Sequence, residues 1–416
     1  MTPVQMRKYA NFFRRYGTFS IFVVTRILIT LGWAVYNTSL VWYGAHNYSG
    51  AAVLGTLLLL YNIPAVIATL LGGLLADSGQ SRFVIIGAQT VGVFCMLGAG
   101  FTFYHSDSAT SILFVGLIQI LLGTVLSLTE PSLAIAVQEL LPSSRLALGN
   151  SVLLTSIMLA TFGAPILAGI LIQFRGPSLP AFLSGGLMMI GTGLFVLLPT
   201  TTFSRRVTQS SMLSSLTKGF EQLRSEHQLW AGFILGGIAN LLLLAPQSVL
   251  VPKTIVQVHL SPIVLGTYQT ATAIGLTGGS VLTGVLSRIS PIKLTFGGIF
   301  LAALGSLGWI LSHSVGNIVI LAIVISIGFG VFEVAWTTFI QNHTEKSTRG
   351  RIFAIDSWLS RILRSGGYVV AMAAGSWFGG KTSVTLTLLA SVFGILTIGL
   401  WVAKGTWKSP RNPISG

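Results

Sequence analysis

The sequence predicts an all-α membrane protein with twelve transmembrane helices, arranged as two pseudo-symmetric six-helix bundles. Three observations support this fold class: an apolar composition, regularly spaced apolar runs, and basic residues confined to alternate loops. Of the 416 residues, 52% are hydrophobic and 8% are charged, and the mean hydropathy is +0.82. Because soluble domains carry about 25% charged residues, most of this chain is expected to lie in a lipid bilayer.

The apolar runs have the length of membrane-spanning helices, which need roughly 20 residues to cross a hydrocarbon core about 30 Å thick. The first run is too long for a signal-peptide core and lacks a small-residue cleavage site, so it is expected to remain in the protein. The predicted spans lie near 18 to 44, 51 to 76, 82 to 104, 109 to 138, 147 to 173, 178 to 200, 229 to 252, 262 to 287, 291 to 313, 315 to 342, 352 to 377 and 382 to 403.

The basic residues predict the orientation of these spans, because short cytoplasmic loops retain lysine and arginine whereas translocated loops do not. With the N-terminus inside, 18 of the 24 basic residues fall in cytoplasmic loops, and only Arg175, Lys253 and Lys381 fall in loops outside. Both termini are therefore expected in the cytoplasm. The net charge of +15 then reflects topology and attraction to anionic lipid headgroups, so no nucleic-acid partner is expected.

The longest polar stretch, 201–228, divides the spans six and six. The predicted domains are accordingly an N-terminal bundle over 1–200, a cytoplasmic linker over 201–228 and a C-terminal bundle over 229–416. Apolar residues recur in the linker at helical spacing, which favours an amphipathic helix on the membrane surface, although a solvated connector fits the same composition. These residues are Met212, Leu213, Leu216, Phe220 and Leu223.

Three short patterns recur in the same order in both halves, at offsets of 203 to 211 residues. Such matches indicate a duplicated six-span unit, as in transporters that bind substrates near the middle of the membrane between parallel repeats. The patterns are the ends of the second and eighth spans (Gly73 to Arg82 and Gly284 to Lys293), a glutamate eight residues before a glutamine (Glu130 and Glu333), and an arginine five residues before a polar pair (Arg145 and Arg351).

The loop after the second span resembles the signature of the major facilitator superfamily, Gly-x-Leu-Ala-Asp-Arg-x-Gly-Arg-Lys. Here the stretch "GLLADSGQSR" supplies Gly73, Asp77 and a basic Arg82, but departs from the signature at Ser78, Gln80 and Ser81. Two further segments, "TEPSLAIAVQELLPSSRLALGNSVLLTSIMLATFGAPILAGILI" and "TRGRIFAIDSWLSRILRSGG", resemble the bacterial twelve-span drug and siderophore exporters of the third drug:proton antiporter branch.

This resemblance implies a multi-pass protein of the bacterial inner membrane, and a conformational latch in the loop after the second span. In the family the aspartate of the signature, here Asp77, lies near helix ends of the other half when the outside is open. The latch residues implied are Gly73, Asp77, Arg82 and Asp356, with Asp77 accepting hydrogen bonds from the N-terminal amides of span eleven. The alternative is that Asp77 and Arg82 form only a solvated turn.

Six charged residues fall inside predicted spans at least four residues from either end, where each costs at least about 2.5 kcal/mol and tends to face a cavity or a partner. We expect Arg26 to pair with Glu130, and Glu333 to pair with Arg361 or Arg364. A carboxylate in such a cavity can also take up and release a proton, so Glu130 and Glu333 are the candidates for proton coupling. The six are Arg26, Glu130, Glu333, Asp356, Arg361 and Arg364.

The resembled fold implies that spans one, four, seven and ten line a central cavity, and these spans carry polar residues at helical spacing. Span five contains "FGAPILAG", a loose match to the Gly-Pro motif that seals a helix pair in proton antiporters, at Gly163, Pro165 and Gly169. The expected cavity residues are Trp33, Asn37, Gln119, Asn240, Gln247 and Trp336.

These patterns favour a secondary active transporter that exports a small amphipathic molecule (a drug, macrolide-like or siderophore-like compound) by alternating access and proton antiport, as a monomer. The alternatives are a facilitator that is not coupled to protons and a non-transporting sensor or assembly partner on the same fold. No enzyme activity, cofactor or metal is expected, because there is no Gly-rich phosphate loop, no constellation of nucleophile and base, and all six histidines fall in loops or at span ends.

Overall fold

A computed structural model describes residues 15–47, 51–77, 81–105, 109–199, 227–308, 314–344 and 349–378. Within these ranges some helical residues are described by their backbone alone, among them 73–77 and Glu130. The described residues form helices joined by short connections. The predicted linker helix and the twelfth predicted span lie outside the described residues.

The helices are long enough to cross a bilayer in most cases, as expected from the apolar runs. We number them in chain order: α1 Gly17–His46, α2 Ala51–Asp77, α3 Ser81–Tyr104, α4 Ala109–Leu140, α5 Leu146–Arg175, α6 Ser178–Val196, α7 His227–Ala239, α8 Ala245–Gln257, α9 Pro262–Val285, α10 Pro291–Gly308, α11 Val315–His343 and α12 Arg349–Phe378. A π-helical segment, Asn240–Leu244, connects α7 to α8 without a break.

The first eleven predicted spans coincide with these helices, if α7 and α8 count as one. By length and hydropathy alone, eight segments of the described residues qualify as membrane spans. The helices α9, α10 and α12 do not qualify, because α10 is short and the other two carry many polar or charged residues, such as Arg361 and Arg364 in α12. The chain is thus a multi-pass, all-α membrane protein, and the exact number of twelve stays a prediction.

The chain separates into two compact units. The first contains the described residues of Met1–Ser49, Thr56–Gln209 and Leu260–Thr270, and the second those of Gly50–Gly55, Ser210–His259 and Ala271–Gly416. The main part of α9 therefore belongs to the second unit, whereas its first turns are assigned to the first. The domain limits predicted from the polar linker stay a proposal.

In the first unit, α1 packs against α5 and α6, and α3 packs against α4 and α6. Side chains that are almost fully buried fill the space where α1, α3 and α6 meet, among them Phe19, Phe22, Ile85 and Phe195. A glycine allows a close approach of α2 and α4, since a Cβ atom at Gly72 would lie 2.6 Å from a backbone oxygen of α4. Helices in membranes commonly associate through such small residues.

In the second unit, α10 packs closely against α11. Two glycines face each other there: a Cβ atom at Gly298 would lie 2.6 Å from the carbonyl oxygen of Gly328. On the other side of the unit, α12 packs against α8 and against the π-helical segment. This contact brings Arg364 of α12 next to Asn240.

Candidate functional site

The guanidinium of Arg82 lies at the C-terminal end of α6, within the first unit. It donates hydrogen bonds to the backbone carbonyls of Val196 (2.7 Å), Leu198 and Pro199 (2.9 Å). The last carbonyls of a helix have no partner inside the helix and carry a partial negative charge, so a cation is favourable at this position. Arg82, predicted to belong to a latch, therefore connects the start of α3 to the end of α6.

The other residues of the predicted latch are only partly described. Gly73 and Asp77 lie in the final turns of α2, but their side chains are outside the described residues. Asp356 lies in the second turn of α12, where its carboxylate accepts a hydrogen bond of 3.0 Å from the indole N–H of Trp336. The latch as a whole stays a prediction.

Trp336, expected to line a cavity, is instead packed inside the second unit. Its side chain is 4% exposed, and a Cβ atom added to Gly232 would collide with its ring. The rings of Phe233 and Phe339 lie 5.3 Å and 5.8 Å from it. The tryptophan thus joins α7, α11 and α12, and it offers no ring face to a ligand in this structure.

The two candidate proton carriers differ in how much the structure describes. Glu333 is exposed on α11, three residues before Trp336. The side chain of Glu130 on α4 lies outside the described residues. Its pairing with Arg26, which is half-buried on α1, stays a prediction.

Arg364 on α12 does not pair with Glu333. Its Nε and Nη2 atoms donate hydrogen bonds of 3.1 Å and 3.0 Å to the side-chain oxygen of Asn240. Asn240 is 6% exposed, and its own amide nitrogen donates to the carbonyl of Gly236 at 3.0 Å. Of the two predicted partners of Glu333, Arg361 stays a prediction, whereas Arg364 bonds to Asn240 because α12 packs against the π-helical segment, a contact that spacing along the sequence does not show.

The π-helical segment was not predicted, although two residues that shape it are visible in the sequence. The N–H of Ala245 donates to the carbonyl of Asn240, five residues earlier, and Pro246 follows, which has no N–H to donate. On the opposing helix, a Cβ atom at Gly367 would lie 2.5 Å from the carbonyl oxygen of Leu241. Single π-helical turns inside α-helices occur frequently at functional sites.

Two of the predicted cavity residues belong to an aromatic and amide cluster in the first unit. Gln119, 1% exposed, accepts a hydrogen bond of 2.8 Å from the hydroxyl of Tyr36 and donates to the carbonyl of Leu57 at 3.4 Å. Trp33 is half-buried and stacks on Tyr61, with ring centroids 5.1 Å apart. Tyr36 and Tyr61 were missed by the sequence analysis, since tyrosines in membrane helices are common and carry no special signal.

The remaining predicted residues occupy different places. Asn37 is half-buried on α1, and Arg361 is half-buried on α12. Gln247, in the second unit, donates a hydrogen bond of 3.1 Å to the hydroxyl of Ser306 on α10. The structure therefore brings Asn240 and Arg364 together, and separately Trp336 and Asp356, whereas Gln247 has a partner of its own.

The span-five motif lies in α5, and its two glycines have different surroundings. A Cβ atom at Gly169 would lie 2.7 Å from the carbonyl oxygen of Pro262, whereas one at Gly163 would meet nothing within 4 Å. The carbonyl of Pro165 faces Gly266 of α9, which also has no room for a Cβ atom. Only the second glycine of the motif is thus required for close packing in this structure.

No group of three or more metal-ligating side chains occurs among the residues that the structure describes. The charged and polar groups instead form pairs and small clusters inside helices. Such an arrangement suits a protein that binds and releases a molecule by contacts from several helices, as transporters do.

The chain belongs to the major facilitator superfamily, whose family model matches residues 22–367. The match covers most of the described residues in both units. It identifies the chain as a member of a family of membrane transporters, not of an enzyme family. A search of curated protein sequences found no match.

Solved structures of transporters share the fold. The nucleoside transporter NupG is similar at 14% sequence identity, over 94% of this chain and 100% of that chain, with a TM-score of 0.70. A POT family transporter in complex with a thioalcohol-conjugated peptide is 12% identical over 93% and 96%, with a TM-score of 0.71. A D-xylose–proton symporter is 12% identical over 91% and 96%, with a TM-score of 0.69. At these identities the likeness establishes the fold alone.

Proposed function

We propose that this protein is a secondary active transporter that exports a small amphipathic molecule by alternating access, with protons moving in the opposite direction. Membership of the major facilitator superfamily supports transport. The observation that carries the coupling proposal is a glutamate, Glu333, exposed on a membrane-spanning helix, because a charge at that depth is costly unless it has a function. The resemblance of the span-five motif to that of proton antiporters favours export.

The direct test is flux through the purified full-length protein in liposomes. Lipophilic cations, macrolides and siderophore-like chelates are offered on one side, with and without a pH gradient. Accumulation that depends on the gradient is the expected result. Gradient-independent equilibration would indicate an uncoupled facilitator, and no flux of any compound would favour a sensor or an assembly partner on the same fold.

Proton coupling is assigned to Glu130 or Glu333. Replacing the proton carrier by glutamine imitates its neutral form, so exchange of substrate without a gradient should continue while gradient-driven accumulation stops. Replacing a carboxylate that only balances a buried arginine should instead lower the amount of folded protein, since an unpaired buried charge costs on the order of 3–5 kcal/mol. Normal accumulation by both Glu130→Gln and Glu333→Gln would exclude these two carriers.

A latch at the cytoplasmic side is proposed for Asp77. The change Asp77→Asn removes a charge and little volume, so the protein should fold normally and transport more slowly. Gly73, Arg82 and Asp356 complete the proposed latch, and Asp356 is bonded to Trp336. A wild-type transport rate in Asp77→Asn would show that the loop is only a turn.

The orientation is proposed from the distribution of basic residues, with both termini and the linker in the cytoplasm of a bacterium and with anionic lipid around a monomer. Cysteines placed at Ser49 and Ser215, in a chain whose native Cys95 is replaced by serine, should react with an impermeant thiol reagent from opposite sides. Labelling of both positions from the same side would contradict the twelve-span topology.

A further inference from the structure

The site formed by Arg364 and Asn240 has the chemistry needed to bind an oxyanion. Two of the five N–H groups of the Arg364 guanidinium are used by the side-chain oxygen of Asn240, at 3.1 Å and 3.0 Å. The three remaining N–H groups are both of those on Nη1 and the second one on Nη2, and the adjacent N–H groups of Nη1 and Nη2 present a planar fork to a carboxylate or a phosphate. Asn240 therefore fixes the guanidinium and leaves its outer edge available.

The charge of Arg364 has no counter-charge among the side chains that the structure describes. Its acceptor Asn240 is a neutral amide, and Asp356 lies two turns earlier on α12 and is bonded to Trp336 instead. An amide oxygen satisfies hydrogen bonds but does not neutralise a positive charge. A permanently charged guanidinium in a predicted membrane span is expected to have an anionic partner, and no side chain that the structure describes supplies one.

The Arg364 side chain is exposed on a face of α12 that differs from the face carrying the large exposed apolar side chains. The large apolar residues exposed on this helix are Trp358 (42%), Ile362 (37%) and Val369 (49%). With about 100° of rotation per residue, Arg364 lies about 120–160° away from these three around the helix. The guanidinium is therefore accessible to a dissolved molecule, whereas the apolar stripe suits lipid.

Close packing of the backbones of α12 and the π-helical segment fixes the position of the guanidinium. A Cβ atom at Gly367 would lie 2.5 Å from the carbonyl oxygen of Leu241 and 3.0 Å from that of Asn240, so only glycine allows α12 to approach the π-helical segment so closely. Arg364 is three residues before Gly367 and on the neighbouring part of the same face. Asn240 is itself held by its bond to Gly236, which preorganises the pair before any ligand binds.

We propose that Arg364, oriented by Asn240, binds a carboxylate or similar oxyanion of the transported molecule. This deepens the proposed transport function, on which it rests, by making the substrate an amphipathic anion or zwitterion and not a lipophilic cation. Arg364 is the residue that contacts the substrate, and Asn240 is a positioning residue. The phosphate of an anionic lipid has the same chemistry, so the experiment must distinguish it.

The experiment measures binding of two fluorescent probes, 1-pyrenebutyrate and its neutral analogue 1-pyrenebutanol, to the full-length protein in phosphatidylcholine nanodiscs. The wild type should bind the carboxylate at least about tenfold more tightly than the alcohol, as expected for a charge-assisted fork. Arg364→Gln should abolish this preference, and Asn240→Ala should weaken it because the guanidinium is no longer fixed. Arg364→Lys should retain only part of it, since an ammonium cannot offer two parallel donors.

Two arginines serve as matched controls. Arg361→Gln removes a charge from the same helix, and Arg145→Gln removes one from an exposed loop position; both should keep the preference for the carboxylate. Equal binding of the two probes by the wild type, an unchanged preference in Arg364→Gln, or loss of the preference in Arg361→Gln would each overturn the assignment. Correct folding of every variant is checked by a thermal unfolding midpoint that matches that of the wild type.

A second arm separates substrate from lipid and from the transport proposal. In phosphatidylglycerol nanodiscs the affinity of the wild type for 1-pyrenebutyrate should stay within about tenfold of its value in phosphatidylcholine. A larger loss in the wild type that is absent in Arg364→Gln would mean that the lipid headgroup occupies Arg364. That result would assign the site to a lipid and overturn the proposal. If the preference for the carboxylate is present but no flux occurs in liposomes, only the proposed transport function fails.

Discussion

The two glycines of the span-five motif predict opposite effects for the same substitution. In Gly169→Ala the new Cβ atom would lie 2.7 Å from the carbonyl oxygen of Pro262 and 3.0 Å from the Cα atom of Ile263. Because such contacts normally exceed about 3.2 Å, α5 and the start of α9 must move apart by about half an ångström, and overpacking of this kind costs about 1–3 kcal/mol. Higher helix propensity of alanine offsets at most about 1 kcal/mol.

In Gly163→Ala, the matched control on the same helix, the Cβ atom meets nothing within 4 Å. Only the gain in helix propensity remains, so this variant should be more stable than the wild type by about 0.5–1 kcal/mol. The two variants should therefore differ by about 1–3 kcal/mol in the free energy of opening the first unit.

The native thiol of Cys95 provides the assay. It is the only cysteine, it is 6% exposed on α3, and it lies in the first unit like Gly163 and Gly169. When opening is fast and reversible, the rate of reaction with a thiol reagent follows the population of the open state. A difference of about 1–3 kcal/mol corresponds to a roughly five- to 150-fold faster reaction in Gly169→Ala than in Gly163→Ala. Equal rates, or slower reaction of Gly169→Ala, would refute the packing argument.

Three further substitutions test individual contacts. Arg82→Gln should lower the stability by about 1–2 kcal/mol, because charge-assisted bonds to the α6 carbonyls are lost; thermal unfolding in one detergent should show a lower midpoint than for the control Arg145→Gln. Tyr36→Phe leaves the buried amide of Gln119 without a donor and should cost about 1–2 kcal/mol, visible as faster thiol labelling. Trp336→Phe keeps an aromatic ring but removes the indole donor, so the free energy of unfolding should fall by about 1–3 kcal/mol and the unfolding midpoint should be lower. An unchanged midpoint would mean that water replaces the indole.

Much of the helical architecture could be predicted because a bilayer imposes the length and the composition of each span. The seventh span shows the limit of this reasoning. It was predicted as one helix over 229–252, whereas the structure contains α7, the π-helical segment Asn240–Leu244 and α8, which ends at Gln257. The π-helical segment lies against α12 at Gly367, where a Cβ atom would be 2.5 Å from the carbonyl oxygen of Leu241, and hydropathy does not report which helix is the neighbour.

The sequence predicted which residues belong to the candidate sites, but not which residues they contact. Charged residues in apolar spans are rare, so Arg364 and Asp356 could be selected from the sequence alone. Their partners could not be predicted. Arg364 bonds to Asn240, although a glutamate was expected as its partner. Asp356 bonds to Trp336, which was expected to line a cavity. Pairing depends on which helices are neighbours and on their relative rotation, and both arise from contacts distant in sequence.

The sequence by itself determined that the chain is an all-helical, multi-pass membrane protein of the major facilitator superfamily, because both the hydrophobic length of the spans and the signature at Gly73 to Arg82 are local properties. Only the tertiary structure decided that Arg82 bonds to the end of α6, that Gly169 but not Gly163 is needed for close packing, and that Arg364 is held by a neutral amide. The physical reason is that hydrogen bonds and steric contacts act over about 3–4 Å, so they depend on atomic positions that no pattern along the chain specifies.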